Sequence, residues 1–175
     1  MEELVVLVNE SNQVIGTAPK SAVHTSETPL HRGFSVFLFD RKGYLLLQQR
    51  GREKTTWPLV WSNSCCGHPL PEESNVAAAR RRLRFELGIS DAAIYEVVPD
   101  YRYRAERDGV VENEICAVLV AFTDQAPALN RDEVEAIGWV RWPDFIREVA
   151  ARPEHYSVWC VEEVSRLNSS LSILA

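Results

Sequence analysis

The apolar residues of this chain come in short bursts, and the length of those bursts limits what it can build. The longest, such as "AVLVAF" at 117–122, are the size of one strand and far short of the roughly 20 residues that span a bilayer. Strands are therefore the main element. "LVVLVN" and "QVIGTA" read as short strands around the turn "ESN", and "PKSAVH" as a short helix or turn. "GFSVFLFD" and "YLLLQQR" are strand-like runs joined by "RKG", a hairpin signal, and "PLVWSNSCCGHP" looks extended up to Gly67. After "LPEE", Ser74 can cap a helix through "NVAAARRRLRFEL", with Val76, Ala79, Leu83 and Leu87 at helical spacing and Gly88 as its stop. "YEVVPDYRYRAE" and "VVENEICAVLVAF" read as strands around Asp108 and Gly109; a strand "EAIGWVRW" and helical patches "PDFIREVAA" and "HYSVWCVEEVSRL" follow. Strands mixed with a few helices predict an α/β sandwich.

At 175 residues and 19.9 kDa the chain fits one domain, 1–175, large enough to bury a core without disulfides or metals to staple it. The start "MEELVVLVNE" lacks the basic end and apolar centre of a signal peptide, so the cytoplasm is the expected location. The four cysteines are then reduced thiols, and their spacing draws no pair of C-x-x-C knuckles. A net charge of −6 argues against sequence-independent nucleic-acid binding, which needs a positive field. Any basic site must be local. A monomer with no membrane or nucleic-acid partner is expected.

Chemistry-bearing residues gather in a few places. Glu112 and Glu114 lie two apart, so in a strand both carboxylates share a face with Cys116, Val118 and Val120. Burying them unpaired would cost several kcal/mol each, so an inward face calls for a cation or basic partners. The local sequence alone favours the other reading, a solvated hairpin mouth. Cys66 and His68 have the same spacing and would turn to one side, with Cys65 on the other; Gly67 lets a backbone or ligand approach. Taken singly, Cys66 reads as a small buried hydrophobe and His68 as a hydrogen-bonded histidine before a proline turn. His24 and His31 flank "TSETPL", a loop that could bring their rings together, and three imidazoles with two carboxylates suit a first-row divalent cation. Lys20, Arg50, Lys54 and Arg82 read as surface charges unless a compact anion gathers them.

From Gly67, the segment "GHPLPEESNVAAARRRLRFELGI" at 67–89 resembles the Nudix box: Gly67, Glu73, Arg81, Leu83, Glu86, Gly88 and Ile89 match. Arg82 and Phe85 stand where two of its helix glutamates belong, which removes carboxylates that Nudix hydrolases use to hold several Mg²⁺ ions. With "NSCCGHP" before it and "YRYRA…VENE" after it, the chain resembles the type I isopentenyl diphosphate isomerases from about residue 24 to residue 159. The resemblance implies a mixed β-sheet sandwiched between helices (α/β, or α+β) and interconversion of isopentenyl and dimethylallyl diphosphates in isoprenoid synthesis. It implies Cys66 and Glu114 as proton-transfer residues with Tyr103 beside Glu114, and a divalent metal (Mn, Zn or Mg) held by His24, His31, His68, Glu112 and Glu114. It further implies Glu86 holding a Mg²⁺ on the substrate diphosphate, Lys20, Arg50, Lys54 and Arg82 as a basic clamp, and Trp159 as an active-site aromatic. Trp159 is the loosest match, since a tryptophan on an amphipathic helix is usually core.

Moving a double bond by one carbon adds a proton at the terminal alkene carbon and removes one from the carbon beside the diphosphate-bearing one, through a tertiary carbocation-like intermediate. That requires a strong, positioned acid and the exclusion of water. One rival is a Nudix hydrolase, which the depleted box disfavours. Another is a catalytically silent metal-binding or interaction domain, which would need neither Cys66 nor Tyr103 beside Glu114.

Overall fold

The computed structural model describes residues 3–171, so residues 1, 2 and 172–175 of the expected domain lie outside it. The elements are β1 (Leu4–Val8), β2 (Val14–Pro19), α1 (Lys20–Val23), β3 (His31–Phe39), β4 (Tyr44–Arg50), β5 (Trp61–Ser62) and β6 (Cys65–Gly67). They continue with α2 (Asn75–Leu87), β7 (Ala93–Arg107), β8 (Val110–Phe122), β9 (Val134–Arg141), α3 (Trp142–Ala151) and α4 (Val158–Leu171). All the strands join one mixed sheet. No helix among the described residues is long and apolar enough to cross a membrane.

β3 and β8 run parallel through the middle, in register from His31↔Glu114 to Phe39↔Phe122. Their near-continuous apolar sequences follow from burial on both faces. Phe34, Val36, Leu38, Ala117, Leu119 and Ala121 pack under α2 against Ala78, Ala79, Leu83 and Leu87. Phe37, Phe39, Cys116, Val118 and Val120 pack on the other side against Phe145 and Val149 of α3 and Trp159, Cys160, Val164 and Leu167 of α4. The result is the mixed sheet between helices that the sequence predicts. α2 starts where Ser74 Oγ accepts from the Ala77 amide and stops at Gly88, whose φ of 66° is left-handed. Asp108 and Gly109, with φ of 52° and 78°, make the tight turn between β7 and β8.

One expected hairpin is only half made. "RKG" does turn, with Asp40 Oδ1 accepting from the Lys42 and Tyr44 amides. Yet β3 and β4 pair only at Phe39↔Leu45. β4 then pairs with β9, and β6 occupies the vacated edge of β3 at 34–36. The Ser64 hydroxyl bridges the split, accepting from the Leu38 amide at 2.7 Å and donating to the Leu46 carbonyl at 2.6 Å. A side chain thus replaces ladder bonds that the divergence removes. The extended reading of 58–69 is also broken in two, into β5 and β6, with Asn63 and Ser64 at the joint.

Candidate active site

The mixed pairing places the start of β3, the end of β6 and the start of β8 side by side. His31 opposes Glu114 across the parallel ladder, and Tyr103 opposes Glu114 across the antiparallel one. His68 follows β6, and His24 follows α1. The rings of His24, His31 and His68 come together with centroids 5.0–5.3 Å apart. Glu112 and Glu114 are only 5% and 6% exposed, so the solvated hairpin mouth is not what forms. Glu114 Oε1 lies 3.0 Å from His68 Nε2 and 3.4 Å from His31 Nε2, and its Oε2 accepts from the Tyr103 hydroxyl at 3.0 Å.

Gly33 makes room for this carboxylate, since a Cβ there would fall on top of it. Nothing in the local sequence marks Gly33, because the close approach comes from a residue 81 positions away. Gly67 was expected to admit a backbone or ligand; it instead admits the Phe34 ring and the Arg82 stem, which a Cβ would meet at 3.0 and 3.1 Å.

Charge in this corner is tightly coupled. Burial alone would make Glu114 hard to ionise, but the His31 and His68 imidazoles beside it outweigh that and hold the carboxyl well below the usual range. Burial also works against His31 protonation, and the Glu114 carboxylate reverses that, raising its pKa. For His68 burial prevails, and the pKa falls. His31 Nδ1 faces the Pro29 carbonyl at 2.9 Å, which fixes the proton there and turns Nε2 toward the carboxylates.

His24 Nε2, His31 Nε2 and Glu112 Oε2 are buried without a hydrogen-bond partner, although His24 Nε2 and Glu112 Oε2 stand 3.1 Å apart. Donor atoms of His24, His31, His68 and Glu112 all lie within 4.8 Å of one another. Orphaned imidazole and carboxylate atoms at this density fit one divalent cation.

A cavity of about 200 Å³ opens beside this cluster, lined by His24, His68, Glu112 and Glu114 together with Cys66, Tyr103 and Trp159. Cys66 and His68 do share a side, and Cys65 packs under α2 instead. Burial pushes the Cys66 thiol up to about 12, against the Arg50 charge. The Trp159 ring stands edge-on to Trp57 at 5.3 Å and tilted over Tyr103 at 5.8 Å, with the Arg50 guanidinium 5.3 Å above it. It is core and cavity wall at once. Asn63, which sequence reasoning missed, accepts from both Cys66 Sγ at 3.1 Å and Trp159 Nε1 at 3.2 Å.

Lys20, Arg50, Lys54 and Arg82 also line the cavity. They are not free. Lys20 pairs with Glu3 at 2.8 Å, and Arg50 donates to the Thr56 and Trp57 carbonyls. Lys54 and Arg82 both pair with Glu133, another lining residue the sequence did not single out. Glu86 is 1% exposed and engaged on both oxygens, Oε1 by Arg82 and Oε2 by Gln48 at 2.9 Å. It offers no open ligand position for a second ion until one of those donors moves.

Residues 29–160 match the Nudix domain family. A solved Deinococcus radiodurans structure, 21% identical, superposes with a TM-score of 0.73 over 94% of this chain and 98% of its own, a likeness of fold. Closer in sequence are curated isopentenyl-diphosphate Delta-isomerases. The Saccharopolyspora erythraea protein is 50% identical over 94% of this chain and 86% of its own length. An Escherichia coli protein is 45% identical over 93% and 90%. The chain is a Nudix-fold protein, and within that fold it belongs to the isopentenyl-diphosphate Delta-isomerase family.

Proposed function

We propose that this protein interconverts isopentenyl diphosphate and dimethylallyl diphosphate, with Cys66 and Glu114 as the two proton-transfer groups. The observation that carries the reading is their meeting in one small cavity whose walls also hold Tyr103 and Trp159. At about 200 Å³ it is below the roughly 300–1,000 Å³ usual for drug-sized ligands, and suits a short hydrocarbon chain.

A divalent ion held by His24, His31, His68, Glu112 and Glu114 would orient Glu114 and tune its acidity. Tyr103 donates to the Glu114 oxygen that does not face the imidazoles, fixing where the carboxyl presents a proton. Cys66 serves the other transfer. The interconversion is reversible, so each group must both give and take. The aromatic faces of Trp159 and Tyr103 exclude water that would trap the cation as an alcohol, and an aromatic face stabilises a desolvated cation by about 2 kcal/mol. Lys54 and Arg82 exchange Glu133 for the substrate diphosphate, and the anchored diphosphate positions the reacting carbons. Glu86, engaged on both oxygens by Arg82 and Gln48, would hold a second, diphosphate-bound magnesium only after one of those donors gave way. The same reading makes the protein a monomeric cytoplasmic enzyme.

Hydrolysis, the rival chemistry of the fold, is disfavoured because Arg82 and Phe85 replace box carboxylates, and Phe85 points outward, 52% exposed. Proton NMR of isopentenyl diphosphate in D₂O with the metal-loaded protein decides between them. Double-bond migration with deuterium uptake and no phosphate release is expected; phosphate release without migration would make it a hydrolase.

A further inference from the structure

Trp57, on the loop between β4 and β5, plays no part in the scheme above. It is 4% exposed, and its φ of 46° lies in the left-handed region, where a bulky side chain is an outlier. Arg50 ties the backbone there, donating to the Thr56 and Trp57 carbonyls at 3.1 and 3.2 Å. Glycine suits this conformation better. A tryptophan held in it points to a need for the ring itself.

What the ring does follows from its neighbour. Trp159 is 3% exposed and lines the cavity. Its Nε1 donates to Asn63 Oδ1 at 3.2 Å, and Asn63 is held in turn by the Val36 and Cys65 carbonyls, which accept from its amide nitrogen at 3.1 and 3.0 Å. One end of the indole is thus pinned. Around the rest stand the Arg50 guanidinium at 5.3 Å, Tyr103 at 5.8 Å and Trp57, edge-on at 5.3 Å. Arg50 and Tyr103 line the cavity as well. Trp57 instead lines an outer pocket of about 430 Å³ between β7 and α4, with Glu106, Val158, Val161 and Glu162 among its walls. At this point two indole rings in contact separate the cavity from that pocket. A substrate too long for the cavity would have to push the pinned Trp159 ring toward Trp57, and Trp57 fills that space.

We propose that Trp57 sets the length of hydrocarbon this protein accepts, backing Trp159 so that the cavity stops at a five-carbon chain. This role rests on the isomerase reading and adds a specificity determinant to it. Lys54 and Arg82 hold the diphosphate end of the substrate, and Cys66 and Glu114 flank the reacting carbons, so surplus carbon bears on the wall that Trp159 makes. Without the Trp57 ring, Trp159 can fall back and the cavity opens toward the outer pocket, where Val158 and Val161 give added methylenes an apolar surface. Trp57 touches no substrate. It is a positioning residue that acts through Trp159.

Wild type, Trp57→Phe and Trp57→Gly are compared, with circular dichroism as the folding control; glycine removes the ring and suits the backbone. The substrates are isopentenyl diphosphate and its homologues in which ethyl, propyl or butyl replaces the branch methyl, and kcat/KM for double-bond migration is read by proton NMR. In the wild type each added methylene that does not fit should cost about tenfold or more. Trp57→Gly should raise kcat/KM for the butyl homologue, relative to that for isopentenyl diphosphate, by about tenfold or more, and Trp57→Phe by less. A merely structural role would lower activity toward every substrate alike, so an unchanged ratio in folded Trp57→Gly would overturn the assignment. So would a wild type that takes the butyl homologue as readily as isopentenyl diphosphate. If Trp57→Gly does not fold, the same ratio in Trp57→Phe decides. A wild type that moves no double bond in isopentenyl diphosphate removes the isomerase reading instead, so the two failures are distinguishable.

Discussion

His24, His31, His68, Glu112 and Glu114 bring buried polar atoms together and leave several of them without partners, whereas Lys54, Arg82, Glu86 and Glu133, around the same cavity, neutralise one another almost completely. The first arrangement costs free energy unless a cation joins it; the second is content alone and can be approached only by competition. Incomplete satisfaction therefore marks where a missing ligand belongs more sharply than charge does. Four cations on the wall drew attention in the sequence, yet each already has a protein partner.

The strongest way to separate the two clusters is to remove the chemistry between them. Cys66→Ala should lower isomerisation by about 10²–10⁴-fold or more with bound metal unchanged, measured by NMR turnover and elemental analysis; retained turnover would take Cys66 out of the reaction. His68→Ala should weaken metal binding by at least the roughly 10–100-fold that losing a supporting partner costs, whereas Arg82→Ala should leave metal content alone. Equal metal loss in both variants would break the contrast. Metal at about 100 times its Kd should stabilise the wild type by about 2.7 kcal/mol, read as a higher Tm, and should do so much less in His68→Ala.

Smaller effects sharpen the second cluster. Glu133→Gln frees Lys54 and Arg82 from a partly exposed partner whose pairing is worth about 1 kcal/mol or less, so KM for the diphosphate should fall by a few-fold with kcat nearly constant; a raised KM would mean that Glu133 itself helps to hold the substrate. The smallest effect concerns Glu73 and Arg81 at the edge of the box. The Arg81 guanidinium holds the Glu73 carboxyl below its ordinary range. A lowered carboxyl contributes stability above the unfolded value near 4.5 that is lost as pH falls through the folded one. Acid denaturation followed in both proteins should show a shallower slope in Glu73→Gln than in the wild type, a difference of under about 1 kcal/mol.

What the sequence revealed divides along the same line. Strand periodicity is local, so the shared face of Glu112 and Glu114, the opposed faces of Cys65 and Cys66, and the Ser74-to-Gly88 helix could be read directly. The gathering of His24, His31 and His68 needed the family resemblance, because loops bring them together. Gly33, Asn63 and Glu133 carried no local signal. Gly33 matters through Glu114, Asn63 through Cys66 and Trp159, and Glu133 through Lys54 and Arg82. All but the Asn63–Cys66 contact join residues more than 40 positions apart, which spacing cannot show. The divergence of β3 from β4 was hidden for the same reason: Ser64 compensates for it from outside both strands.

Glu112 and Glu114 ride on the same strand whose farther half, Val118 to Ala121, is clamped between both helical layers. A rigid beam of this kind cannot bend at one end without disturbing the other. Backbone amides around 112–116 should therefore exchange with solvent only when the whole fold opens.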